Sequence, residues 1–276
     1  MERFISAIKE ASLRFSRDGC AFLAQALAFN SLFALFPLAV LILSASTYVI
    51  PDSERRLLAF FHALSPTLND FITSNLKSYI YGRGISSLIA LAFLLWSGKN
   101  LFMGLAYALD RALGVPKGRP LVHSIALSFV MLPVTFVMLI LAIVLPVLIA
   151  VLIRVAGAPD PARLTHIAAY AVSIVLVFIV TVVLYRWLPN RQVSYRFALP
   201  GATIVALLWP VVQYAFAEYV VRVNFAHIYG ALSAPLVLLL WFYCIGSIFL
   251  FGAEYCTAWA AHAGIDHVPA LVDELG

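Results

Sequence analysis

Charge is what this sequence has least of. Asp, Glu, Lys and Arg make up 11% of its 276 residues, against about 25% in an ordinary soluble domain. The shortage is concentrated. Six stretches, 19–51, 84–98, 120–153, 164–185, 197–217 and 223–253, contain none of the four and together cover more than half of the chain. A soluble domain would have to bury all of that surface, so the composition excludes that class. Cysteine is scarce as well. Cys20, Cys244 and Cys256 form no CxxC, which argues against a disulfide framework or a zinc site and leaves them as small apolar fillers. The six histidines, 62, 123, 166, 227, 262 and 267, show no HxH or HxxxH spacing. No glycine-rich ATP-binding loop is present. A cleavable leader is not expected either: the first 18 residues carry seven charges, and the first apolar run is too long for a signal-peptide core.

What fills the space is apolar. Hydrophobic residues reach 63%. Crossing the hydrocarbon core takes about 20 residues as a helix, and only helices or closed barrels satisfy their backbone polar groups there. Runs such as AVSIVLVFIVTVVLY, 171–185, are continuously apolar and lack the alternation of a barrel strand. The expectation is an all-α integral membrane protein with six transmembrane helices and amphipathic interfacial helices.

Orientation follows from the cations. The side holding the amino terminus carries Arg3, Lys9, Arg14, Arg17, Lys99, Arg111, Lys117, Arg119, Arg186, Arg191 and Arg196; the other side carries seven, spread over longer connections. The short loop RWLPNRQVSYR has three arginines and no acid. The positive-inside rule then places both termini in the cytoplasm. A pI near 9.2 is accounted for by cations facing anionic headgroups, so no nucleic-acid partner is expected.

Along the chain, residues 1–18 read as an amphipathic helix on the cytoplasmic face, with Phe4, Ile8, Ala11 and Phe15 on one side. Residues 19–260 make the membrane bundle. Within it, 52–83 repeats leucine and phenylalanine at helical spacing and suggests two amphipathic helices on the outer face. The second span should run from about Ile85 to Leu113. The run 120–153 exceeds one straight crossing, and Pro133 and Pro146 suggest a long, tilted or broken helix. NFAHIYGALSAP, 224–235, suggests a bent outer entry to the last span. Residues 261–276 form a short cytoplasmic tail.

Four segments occur in order: ALAFNSLFALFPLAVLIL, LLWSGKNLFMGLAYALDRALGV, LYRWLPNRQVSYRFALPGA and IYGALSAPLVLLLWFYCIGSIFLFGAE. In these the chain resembles the YihY/BrkB family of bacterial inner-membrane proteins over roughly residues 10–260, departing from it at Lys99. The resemblance implies a six-span fold in the inner membrane. It also brings a historical ribonuclease label, a virulence or serum-resistance label for one branch, and a link of some members to envelope lipid traffic. The residues do not support a nuclease, which needs metal-binding carboxylate and imidazole ligands or an acid–base pair in water. No enzyme activity and no cofactor are expected.

Polar residues inside a bundle are costly and usually face a partner or a wet cavity. The candidates are Gln25, Asn30, Lys99, Asn100, Arg186, Arg191, Arg196, Gln213, Glu218, Arg222 and Glu254. Each has a structural alternative. Gln25, Asn30 and Gln213 suit interhelical hydrogen bonds, and Glu218 with Arg222 suits a surface ion pair at i, i+4. Lys99 and Glu254 suit either a cytoplasmic-side pair or snorkelling ends, and the arginines suit topology signals or contacts to lipid phosphate. The leading reading is handling or translocation of envelope lipid, with membrane lipids, anionic ones included, as partners. The alternative is a non-transporting assembly or regulatory factor, and a homo-oligomer is compatible with either. The orientation has a direct test. A reporter fused after Gly276 should be active only if it matures in the cytoplasm, and activity confined to the periplasm overturns the assignment.

Overall fold

The computed structural model describes residues 2–49, 83–115, 121–155, 160–190, 193–223 and 225–264, and all regular structure among them is helical. The helices are α1 (Glu2–Arg17), α2 (Cys20–Val49), α3 (Arg83–Ala112), α4 (Leu121–Val155), α5 (Pro161–Trp187), α6 (Tyr195–Val223), the short α7 (Phe225–Tyr229) and α8 (Ser233–Ala263), with a 3-10 turn at Gly230–Leu232. Among the described residues, three segments are long and apolar enough to cross a membrane: Ala162–Trp187, Tyr195–Val223 and Ser233–Ala263. The bent pair Arg3–Arg17 and Cys20–Leu35, broken at 68°, makes a fourth if counted as one span. The amphipathic helices expected over 52–83 lie outside the described residues, apart from Arg83.

The ends of these helices follow local rules. Asp160 caps α5 by accepting from the Arg163 N–H at 3.1 Å, and Pro161 occupies the first turn, where its missing N–H costs nothing. At the end of α3, Gly114 takes φ 65°, which a residue without Cβ adopts freely. Val115 N–H then reaches the Asp110 carbonyl at 2.8 Å and Gly114 N–H the Arg111 carbonyl at 3.3 Å, a Schellman closure. The elbow between α1 and α2 uses the same device at Gly19, φ 69°. The last crossing starts as a bent entry, with α7 and the 3-10 turn leading into α8. Pro133 and Pro146 do not interrupt α4, which runs unbroken for 35 residues. At about 50 Å it is longer than the hydrocarbon core is thick.

Packing closes the long helices into a circuit: α8 on α2, α2 on α3, α3 on α4, α4 on α5, α5 on α6, and α6 back on α8. Across the circuit, α8 also touches α3. The buried residues lie almost entirely at the end holding the amino terminus. They include Cys20, Ala24 and Ala28 on α2, Phe102, Ala108, Leu109 and Ala112 on α3, and Tyr185 on α5. Phe197, Ala198 and Ala202 on α6 join Leu250, Ala253, Cys256 and Ala260 on α8. Beyond the middle of α5, α6 and α8, no described residue is buried.

Helix α1 departs from the expectation of a helix resting its apolar face on the leaflet. Ala7 and Ala11 are fully buried, Phe4 meets Tyr255 edge-on at 6.1 Å and Phe15 meets Phe251 at 6.3 Å. The apolar stripe therefore docks on α8, because small residues at positions 7 and 11 let the two helices approach closely.

The tightest approach is α6 on α8. A Cβ on Gly201 would overlap the Gly252 carbonyl and the Cys256 sulfur, and one on Gly252 would overlap Val205 and the Tyr185 hydroxyl. By contrast, a Cβ on Gly104 would meet its nearest neighbours, Asn30 and Leu27, at 3.4 and 3.7 Å. Gly201→Ala or Gly252→Ala should lower stability in detergent by about 1–3 kcal/mol through overpacking, and Gly104→Ala should cost much less. Equal thermal midpoints for all three variants would refute this ordering.

Candidate functional site

The most polar buried position is Glu254, on α8 nine residues before its end. It is fully buried. Cys20, at the start of α2, donates its S–H to Oε1 at 3.3 Å. Arg14, on α1, brings its Nε to 3.5 Å from Oε2, an ion-pair distance, yet neither of these two buried atoms makes a hydrogen bond. Three helices therefore meet around one carboxylate. The arrangement extends outward. Arg14 also pairs with Glu10 at 3.3 Å, and the other oxygen of Glu10 lies 3.1 Å from His262 Nε2, joining α1 to the end of α8 a second time. Asp18, on the elbow, adds a second carboxylate to the surroundings of Glu254. Its backbone carbonyl accepts from Arg111 Nε at 2.8 Å, which ties the elbow to the end of α3.

The pairing of Glu254 with Lys99 is not what forms. Thr257 donates to the Ala112 carbonyl at 3.0 Å, so Glu254 stands level with the last turns of α3. Lys99 is ten residues above Leu109, about 15 Å along the axis, and sits half-buried in mid-helix with Asn100. Arg14, four turns into the first helix, takes the role instead.

A second polar group lies at the same end of the bundle. Asp110 is 8% exposed and accepts from the Asn190 backbone N–H at 2.7 Å and from the Asn190 side-chain amide. This pins the α5–α6 loop to α3. Across that loop Arg186, in the last turn of α5, lies over the ring of Tyr195 at the start of α6, 3.8 Å from its centroid, and donates to the Val193 carbonyl at 3.3 Å. A guanidinium over an aromatic face is held by charge–quadrupole attraction. Arg196, one residue into α6 from Tyr195, is exposed; Arg191 lies outside the described residues.

The other sequence candidates are dispersed. Gln25 is exposed on α2, Asn30 lies over Gly104 of α3, and Gln213 is half-buried on α6. Glu218 and Arg222 form an exposed i, i+4 pair at 2.7 Å. Sequence reasoning missed Asp110, Asn190, Tyr195, Glu10 and Cys20 as members of polar groups. Only Asp110 carried a signal, as an acid near the end of an otherwise apolar helix. Its replacement by alanine should free the loop by removing both acceptors of the half-buried Asn190, at a cost of about 1 kcal/mol. Thermal unfolding with hydrogen exchange over 188–194 measures this, and an unchanged loop would show that the contact carries no weight.

With this geometry in view, the relatives become informative. The sequence profile of the Virulence factor BrkB family matches residues 11–269. The ribonuclease-like protein YfkH of Bacillus subtilis (strain 168) is 26% identical over 266 residues, 91% of this chain and 94% of YfkH. A UPF0761 membrane protein of Pseudoalteromonas translucida is 28% identical over 256 residues, 89% of this chain and 82% of its own length. One of Legionella pneumophila subsp. pneumophila is 26% identical over 95% of this chain, which spans only 63% of that relative. No solved structure matches. The chain is a membrane protein that belongs to the Virulence factor BrkB family.

Proposed function

We propose that this protein crosses the bacterial inner membrane six times, with α2, α3, α4, α5, α6 and α8 as the crossings and both termini in the cytoplasm, and that it moves anionic lipid between leaflets. The observation that carries this reading is the one-ended packing of the helix circuit. At the amino-terminal end, small residues bring α2, α3, α6 and α8 together. Toward the other end, α5, α6 and α8 bury none of their described side chains. Helices joined at one end and loosely engaged at the other can part to admit an amphiphile, which a uniformly packed bundle cannot. Trp209 supports the same reading, since it reaches from α6 to Ser173 on α5 at 3.3 Å and to Trp241 on α8 at 5.8 Å. These aromatic contacts are separable without exposing a charge.

Cations at headgroup depth complete the picture. Arg186 ends α5 and Arg196 opens α6, and with Arg191 between them they would meet lipid phosphate at the inner surface. Each such charge is worth about 1 kcal/mol near an anionic surface.

The ribonuclease-like name of the Bacillus relative is not carried over. Among the described residues His166 lies near the start of α5, His227 in α7 and His262 at the far end of α8, so these three do not meet around one substrate phosphate. The experiment is a scrambling assay in proteoliposomes with a fluorescent phosphatidylglycerol and an impermeant quencher. The protein should make inner-leaflet label accessible, and the triple variant R186Q/R191Q/R196Q, checked for correct insertion, should slow this roughly tenfold to a hundredfold. No movement by wild type favours a non-transporting assembly factor and overturns the proposal. Equal rates would reduce the arginines to orientation signals.

A further inference from the structure

We infer that the outward face of α2 around Gln25 is the surface by which this protein pairs with a second copy of itself. The inference takes α2 as one of the six proposed crossings and is otherwise independent of lipid movement. One side of α2 is already occupied. Ala24 faces Gly246 of α8, Leu27 faces Gly104 of α3, and Cys20 and Ala28 are buried with them. The opposite side is a continuous stripe of Phe22, Gln25, Ala26, Phe29 and Phe33, and every member is exposed. Steps of three and four residues keep these five on one face. Phe22 recurs as Phe29 after seven residues, the period at which two helices pair.

Lipid solvates the phenylalanines of this stripe, so they alone need no partner. Gln25 is different. Among the described residues nothing hydrogen-bonds its amide. It stands about 9 Å along the axis from the elbow at Gly19, within the charge-free stretch 19–51. A carboxamide turned toward hydrocarbon with no partner is costly.

Depth and chemistry identify the occupant. Copies of one chain inserted in the same orientation pair about a two-fold axis along the bilayer normal. Each residue near that axis then meets itself at its own depth. A second copy therefore offers a polar group at the level where Gln25 lacks one. A carboxamide both donates and accepts, so two of them satisfy each other across the axis, which two lysines or two glutamates could not do. Ala26, next to Gln25, lets the helices approach closely, while Phe22 and Phe29 shield the amides from lipid on either side. The stripe carries no charge to oppose the pairing. Its rim is aromatic and continues onto α3: Phe29 meets Phe33 at 5.5 Å, Phe33 meets Phe93 at 5.9 Å and Phe93 meets Trp96 at 5.3 Å. All four rings are exposed.

The test uses the purified full chain in proteoliposomes at a high lipid-to-protein ratio. With photoreactive p-benzoylphenylalanine in place of Phe29, irradiation should link two copies. The same probe in place of Leu207, exposed on α6, should not. Adducts with lipid alone at position 29 would overturn the pairing and leave α2 as a crossing. Adducts with neither would remove the crossing, and the inference with it. Single-molecule photobleaching across a dilution series measures the strength. Gln25→Leu should weaken pairing about threefold to thirtyfold, and Gln25→Asn should keep most of it, with thermal midpoints confirming that both variants fold. A Gln25→Leu chain that pairs as tightly as wild type also overturns the inference.

Discussion

In a bilayer, hiding a leucine from its surroundings gains little, because the lipid is as apolar as the neighbouring helix. Helices associate through close approach and interhelical polar contacts instead. The meeting of Gly201 with Gly252 is where this constraint is sharpest: backbone lies against backbone, and neither position has room for a Cβ. The surrounding core is written in the same vocabulary. Ala24, Ala28, Ala108, Ala112, Ala198, Ala202, Ala253 and Ala260 are all at most 2% exposed. Large apolar side chains such as Phe22, Leu88 and Leu207 point outward, where lipid solvates them. A soluble protein would show the reverse.

Close approach at one end has a consequence for polar groups. Helices near enough to interdigitate alanines are near enough to exchange polar contacts, and one turn of α8 does so with four neighbours, α1, α2, α3 and α6. Glu254 faces Cys20 and Arg14, Cys256 donates to the Ala198 carbonyl at 3.7 Å, and Thr257 donates to the Ala112 carbonyl. The last of these also covers a carbonyl that the end of α3 would otherwise leave open. Tyr185, on α5, adds a fifth link just before that turn by donating to the Phe249 carbonyl. This single turn fixes α8 as the centre of the bundle, and the loss of such contacts toward the opposite end is what leaves the circuit loosely engaged there.

How much of this the sequence discloses depends on whether the cause is local. Helix limits are local: charge-free runs, a Pro after an Asp, a Gly past the last turn. The helix expected from about Ile85 to Leu113 is α3, Arg83–Ala112, within two residues. The apolar stripe of α1 is likewise visible in its spacing, but the surface it meets is not, because amphipathicity does not say whether the partner is lipid or another helix. Partners are the least legible part. Glu254 stands out as an acid in an apolar run, yet which cation it meets is a matter of helix register. Arg14 was 240 residues away in sequence and Lys99 merely closer. Asp110 and Asn190 are 80 residues apart, and nothing in either segment alone announces that the loop will fold onto the helix end.

The register also explains why the arginines at the amino-terminal end of the bundle are not one population. An orientation signal needs only positive charge, so any cation in a short loop would serve. Three of these arginines do more than that. Arg14 faces a buried carboxylate, Arg111 holds the elbow carbonyl through Nε, and Arg186 stacks on Tyr195 while donating to Val193. Each uses the planar, multiply donating guanidinium in a way an ammonium cannot reproduce. Arg196 is exposed and free of such geometry. The arginines counted as orientation signals in the sequence are therefore, in part, the same ones that tie α1, the elbow and the α5–α6 loop to the core.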